Sequence, residues 1–445
     1  MRRYADWSLQ TWPPRPVSEK LRTRWNLHGG IGHTQNTIAY SREWIMPSHE
    51  GQVIEFDSYW TLSDKAPWNP PWEESDAYYA ERGQKPARRL HDPVTGKSLY
   101  AFNRGDYDGY NPQWGGLPAF RDLIDELRAR DYVLTLYTDP IIACHNTKNG
   151  PELARKYGII NPDWRTFHHA ANEPKPPIVH AYNSYCLDLN AEGYPEWIAS
   201  TMGRLIRDTG ADGIRLDEYG HRGYICFSDK HRHLFGEPGQ NCWLTAVKHS
   251  IELVRAEFDK IDPTLIIMTE FPGHDAVAST LDGALSYNIC RRYGTACPLP
   301  FNLFRQYFPN CKLYEINVQG PKNFYDLSIW NGAGTCYPIY PVPYLKLLSD
   351  HSDEFSGQAE MLVPTLKPGI YANKFTDLKT GKCVYTLYNH SGFTCHAPVL
   401  PAKPGCTYTC RDVSRNEPLP VLDGLLKVRI APGRVVLVCE QPAKQ

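Results

Sequence analysis

The stretch YPEWIASTMGRLIRDTGADGIRLD, residues 194–217, decides the fold. Trp197, Ile198, Met202, Leu205 and Ile206 recur at the spacing of one buried helix face. Gly210 stops that helix, and Gly213-Ile214-Arg215-Leu216-Asp217 follows as a strand. A helix delivered to a strand across a short glycine-containing turn is the unit of a parallel βα fold, not of a sandwich. In the strand, side chains alternate: Ile214 and Leu216 face the helices, while Arg215 and Asp217 face the interior.

The same alternation of elements runs outward in both directions. Val53 to Asp57, Tyr132 to Tyr137 and Thr264 to Glu270 read as strands; Gly283 to Tyr287 and Leu313 to Val318 are weaker strand signals. Trp114 to Arg130, with Phe120, Leu123, Ile124 and Leu127 on one face, and Cys242 to Phe258 read as helices, and Tyr344 to Leu362 as a closing helix. Past Pro364 the helical period disappears. Ile370 to Phe375, Cys383 to Tyr388, Cys406 to Arg411, Leu425 to Ile430 and Val435 to Cys439 are short β runs between turn residues. The expected architecture is a (β/α)8 TIM-type barrel over residues 51–364, followed by a small C-terminal antiparallel β domain, a β-sandwich over 365–445; residues 1–50 are left unassigned.

Composition excludes several function classes. The 445 residues carry 48 Lys and Arg against 49 Asp and Glu, so no basic excess draws in nucleic acid or an anionic membrane. Nowhere do about 18 apolar residues run together, and the basic opening has no apolar stretch behind it, which predicts neither a membrane span nor a secretory leader; the expected location is cytoplasmic, or secreted if the chain is a processed or trimmed form. The 13 cysteines are odd in number and lack zinc-ribbon spacing, so free thiols are expected. Serine-hydrolase, phosphate-loop and dinucleotide motifs are missing, and no cofactor is implied. The 12 Trp and 28 Tyr suit a substrate with hydroxyl edges and C–H faces, such as a sugar.

Reactive groups of a parallel barrel gather at the C-terminal ends of its strands. Asp57, Asp217 and Glu270 end strands here, and Asp139 follows one closely. Arg215, on the same face as Asp217, favours the ionised, oriented carboxylate that a nucleophile on an anomeric carbon must be. The apolar run before Glu270 favours the protonated carboxyl of a general acid.

Gly213-x-Arg215-x-Asp217 with His221 four residues on resembles the nucleophile motif of the α-amylase-type glycoside hydrolases, with Gly220 where many members have Lys. Thr269-Glu270 is similar to that superfamily's acid/base position. The resemblance implies Asp217 as nucleophile, Glu270 as acid/base, Arg215 as the nucleophile's support and His221 as a substrate contact. Asp-x-x-x-Asn-His is not found after Asp139-Pro140, although Cys144-His145-Asn146 follows, and Asp350-His351-Ser352-Asp353 only loosely echoes a late Asn-His-Asp motif. Phe56-Asp57-Ser-Tyr-Trp60, Gly105-Asp106-Tyr107, Gly115-Gly116-Leu117 and Leu136-Tyr137-Thr-Asp139-Pro140 look more like α-galactosidase-type and family 31 barrels, whose acid/base is an Asp further along the chain.

The expected function is a retaining glycoside hydrolase on an α-linked sugar; a transglycosylase and an inactive carbohydrate-binding barrel are the alternatives. Asp57, Trp60, Tyr137, Asp139, His145, His221, His274 and Asp275 are the expected substrate contacts, with Asp275 the reserve acid/base and Asp282 a weaker one. Trp60, Trp68, Trp72, Tyr78 and Tyr79 could form sugar platforms or pack a loop. His168-His169 and His231-x-His233 have no ligand at metal spacing nearby in sequence, so they are expected as solvated loop histidines and no metal site is expected.

Overall fold

Strands that each carry their own helix must return over the sheet in the same direction, which makes the sheet parallel. In the computed structural model, which describes residues 2–31, 38, 41–46, 52–57, 59–60, 90–91, 98–99, 107–111, 114–144, 149–163, 168–169, 184–271, 273–287, 301–317 and 321–442, eight such strands form one sheet, a nearly closed barrel. They are Leu27–Ile31, Val53–Phe56, Val133–Thr138, Gly213–Leu216, Ile266–Glu270, Gly283–Ser286, Lys312–Ile316 and Gly334–Tyr337, and their order in the sheet follows their order in the chain. Antiparallel sheets follow toward the C-terminus. No helix among the described residues is long and apolar enough to cross a membrane.

The chain divides into two compact units, Gly29–Thr280 and Met1–His28 with Leu281–Gln445. In Gly29–Thr280 the second to fifth strands pair in a continuous parallel register: Ile54 with Leu134, Leu136 with Ile214, and Ile214 with Ile267. The helix Tyr194–Thr209 buries Ile198, Met202, Leu205 and Ile206, and Gly210 ends it at φ 75°, the left-handed conformation that glycine adopts without strain. The helix expected from Trp114 starts at Gly116, because Gly115 and Gly116 both take positive φ.

In the unit formed by the termini, the start of the first barrel strand meets the eighth through a parallel bridge between Asn26 and Thr335. The buried Asn26 amide accepts from Thr335 Oγ1 at 3.2 Å and from the Tyr340 N–H at 2.8 Å, and donates to the Tyr340 carbonyl at 3.2 Å. Leu27-His-Gly-Gly-Ile has neither alternation nor a β-branched run, which is why it read as unassigned.

The closing helix is shorter than expected. Val342–Ser349 and Ser352–Phe355 are helical, but Gln358–Val363 is a strand paired antiparallel with Ile370–Thr376. Asp350 and His351 lie between the two helices, where Arg411 of the C-terminal sheet takes both, so the loose Asn-His-Asp echo is a structural contact. The sequence reading also missed the strand Cys395–Pro401, whose Pro398 sits at a register shift opposite Leu425–Ile430. In Val435–Pro442, Val436 and Val438 pack toward Leu426, Val428 and Ile430, while Val435, Leu437 and Cys439 pack with Trp25, Trp330 and Phe355. Burial on both faces accounts for its unbroken apolar run.

Candidate active site

Parallel register brings the strand-end residues of Gly29–Thr280 into one row. Tyr137 pairs with Arg215, and Arg215 with Met268, so two residues further along on the same face Asp217 and Glu270 are neighbours at the ends of adjacent strands. Two residues before Asp57, Glu55 faces the same interior and pairs with Thr135.

Arg215 organises this row. Its Nε and Nη2 donate to Glu55 at 2.5 and 3.0 Å in a bidentate pair, and its Nη1 donates to Asp217 Oδ1. The other Asp217 oxygen accepts from the Tyr137 hydroxyl at 2.5 Å, and the guanidinium carbon lies 4.7 Å from the centre of the Tyr137 ring. Glu55 is 2% exposed and Asp217 7%. Burial works against the Arg215 charge, but Asp217 and Glu55 outweigh it and hold the guanidinium well above its ordinary value. The Asp217 N–H donates to the Thr138 carbonyl at 2.7 Å, tying the carboxylate-bearing backbone to the neighbouring strand.

Glu270 ends the fifth strand, partly buried, with Oε2 3.5 Å from His221 Nδ1. The His221 ring stands edge-on to Phe271 at 4.9 Å. Burial, with the Arg222 charge beside it, lowers the His221 pKa below its ordinary value. Glu218 and Phe271 both take positive φ, 61° and 56°, so each strand turns sharply just past its carboxylate. Gly220 fits between these turns because a Cβ there would overlap the Phe271 carbonyl oxygen and approach the Glu270 carbonyl oxygen to 2.7 Å. That contact explains the glycine where the α-amylase-type motif often has Lys. Glu218, His221 and Glu270 each present a ligand atom within 4.8 Å of the others, close enough to share a cation.

Asp57 lies close enough to Glu55 for its charge to act there. Asp57 and Asp139 are buried, and the Asp139 N–H donates to the Tyr107 hydroxyl. Trp60 is fully buried, edge-on to Tyr59 and Tyr107, so its ring is a packing element and not an exposed platform. His274 stands at the N-terminal boundary of the short helix Asp275–Ala278 without a side-chain capping bond, which places Asp275 at its first turn. Asp282 is at the N-terminal end of its strand, 3.9 Å from Arg15, in the unit formed by the termini. His145, Trp68, Trp72, Tyr78 and Tyr79 lie outside the described residues. The expectation of solvated histidines fails for His231 and His233, whose side chains are only 6% and 3% exposed. The residue that sequence reasoning missed at this site is Glu55; its signal was the i, i+2 spacing to Asp57 on the inward face of Val53–Phe56.

The family described as Domain of unknown function (DUF6259) matches residues 62–306. No curated protein matches the sequence. Among solved structures, the chain is similar to an α-amylase from Geobacillus thermoleovorans at 11% identity and a TM-score of 0.56, over 95% of this chain and 99% of that one. It is similar to the family 36 α-galactosidase AgaB of Geobacillus stearothermophilus at 10% identity and a TM-score of 0.58, over 97% and 56% of the two chains. A family 27 β-L-arabinopyranosidase from the same organism gives 14% identity and a TM-score of 0.53, over 97% and 98%. At these identities the likeness is one of fold.

Proposed function

The chain belongs to the family described as Domain of unknown function (DUF6259), and from the Asp217 site we propose that it is a retaining glycoside hydrolase acting on an α-linked sugar. The observation that carries this reading is a buried aspartate with both oxygens held, one by Arg215 and one by Tyr137, beside a second carboxyl on the next strand. Asp217 attacks the anomeric carbon while Glu270 protonates the departing glycosidic oxygen; Glu270 then takes a proton from water, which releases the sugar from Asp217. Tyr137 and Arg215 hold the attacking carboxylate in one orientation, so little reorganisation is needed as its charge is consumed.

Three structurally similar proteins, an α-amylase, an α-galactosidase and a β-L-arabinopyranosidase, support a glycosidic substrate. The position of Glu270 favours the α-amylase-type arrangement over the α-galactosidase type. Between Gly283 and Tyr325, past the start of the sixth strand, the chain carries no Asp at all, and its one acidic residue, Glu315, lies within the seventh strand.

The test is a panel of aryl α- and β-glycosides presented to wild type, Asp217→Asn and Glu270→Gln, with the anomer of the first product read by NMR. Wild type is expected to cleave an α-glycoside with retention, and Asp217→Asn to lose turnover while staying folded. Glu270→Gln should lose about 10²–10⁴-fold on poor leaving groups and much less on activated aryl ones, which need no proton. Equal cleavage by Asp217→Asn sinks the nucleophile assignment. Product analysis with an added acceptor sugar separates hydrolysis from transglycosylation.

A further inference from the structure

Between the fourth strand and the helix Trp243–Asp259, residues 217–242 form a loop without helix or strand. Ordered loops of this length are uncommon unless something holds them. Within it, Cys226, His231 and His233 converge with Asp188, which precedes the helix Tyr194–Thr209, and one ligand atom of each lies within 4.8 Å of the others. The Asp188, His231 and His233 side chains are 4%, 6% and 3% exposed, and Cys226 is buried. We propose that Asp188, Cys226, His231 and His233 form a tetrahedral zinc site that pins this loop.

Three of the six ligand-to-ligand edges are close to those of a tetrahedron, and the other three fall within 4.8 Å. Zinc bonds of about 2.0–2.3 Å give ligand-to-ligand edges of about 3.3–3.8 Å. Here His231 Nε2 and His233 Nε2 each lie 3.2 Å from Asp188 Oδ2, and Cys226 Sγ lies 3.7 Å from His231 Nε2. The outer contacts aim the ligands inward. The His231 Nδ1 is 3.1 Å from the Lys156 carbonyl, which can only accept, so Nδ1 carries the proton and the Nε2 lone pair of the neutral ring faces the cluster. The Asn190 N–H donates to Asp188 Oδ1 at 2.9 Å, leaving Oδ2 for the cluster, and the Ser228 N–H points at Cys226 Sγ from 3.4 Å.

A plain His231–Asp188 ion pair accounts for two of the four residues. It leaves both ring nitrogens of the buried His233 without a hydrogen-bond partner, and Nε2 close to Asp188 Oδ2 but misaligned for a bond. A shared cation satisfies that nitrogen. The donor set of one thiolate, two imidazoles and one carboxylate is the mixed N, S and O set that zinc takes, and four protein ligands leave no open position for chemistry. On binding, Cys226 releases its proton to solvent, and the thiolate and Asp188 together neutralise the dication.

The full-length protein, stripped with a chelator, is titrated with Co2+ alone and then with Zn2+. The expected result is one equivalent of Co2+ giving a near-ultraviolet thiolate charge-transfer band with tetrahedral visible bands, all displaced by Zn2+, and a melting temperature raised by Zn2+. Cys226→Ser should lose the charge-transfer band, while Cys242→Ser, outside the cluster, keeps it. Wild type without the band overturns the proposal, as does a band that survives Cys226→Ser. Cation binding at Glu218, His221 and Glu270 counts as the first of these, since that set has no sulfur.

Discussion

Glu55 takes two of the three donor nitrogens of the Arg215 guanidinium and leaves Nη1 for Asp217. Its role is to fix the angle at which the third donor arrives. Glu55→Gln keeps the volume but removes the bidentate charge partner of a fully buried Arg, so a loss of about 3 kcal/mol in urea unfolding is expected. Because Arg215 then loses its fixed orientation, kcat should fall by about 10- to 100-fold as Asp217 drifts from its line of attack. His221 offers a second check at this scale. Burial and Arg222 both lower its affinity for a proton, so its imidazole is expected to be neutral at pH 7 and to titrate below about 6.5 by NMR. Arg222→Gln removes one of the two causes and should move that titration upward; a shift downward contradicts the assignment.

At the scale of elements, the fourth and fifth strands end in sharp turns that touch backbone to backbone at Gly220. An added methyl at Gly220 has to push the Phe271 carbonyl away, which displaces the turn that follows Glu270. Gly220→Ala is therefore expected to cost about 1–3 kcal/mol and to lower activity with it. Gly223→Ala, three residues on, meets open space and should stay within about 0.5 kcal/mol of wild type in the same unfolding measurement. Equal effects of the two substitutions contradict the close-approach reading.

At the scale of the molecule, the C-terminal sheet and the helices Phe324–Trp330 and Ser352–Phe355 beside it do not have separate interiors. Phe375, Val384, Tyr388 and Leu437 of the sheet share one core with Trp25, Trp330 and Phe355. Each such side chain contributes about 1.5–3 kcal/mol through burial. A chain ending at Val363 exposes the Trp25 and Trp330 side of that core, so it is expected to aggregate or to melt without a cooperative transition. A sigmoidal melt with buried-tryptophan fluorescence in that truncated chain contradicts the shared core.

The sequence by itself determined the barrel, the antiparallel β structure that follows it, and the strand-end carboxylates Asp57, Asp217 and Glu270. These follow from periodicity: a 3.6-residue stripe and a two-residue alternation are local properties that the residues carry wherever they fold. Tertiary structure alone decided the rest. The first strand was invisible because Leu27-His-Gly-Gly-Ile is held by Asn26 and Thr335 across the barrel closure and not by its own pattern. Glu55 became the partner of Arg215 through a contact 160 residues apart in the chain. His231 and His233 read as solvated because their carboxylate, Asp188, lies on the far side of a helix and a barrel strand in sequence. Cys226 stood close by, but no local spacing announced it as their partner. Alternation reports which face a side chain occupies, and only the folded chain reports which side chain it meets there.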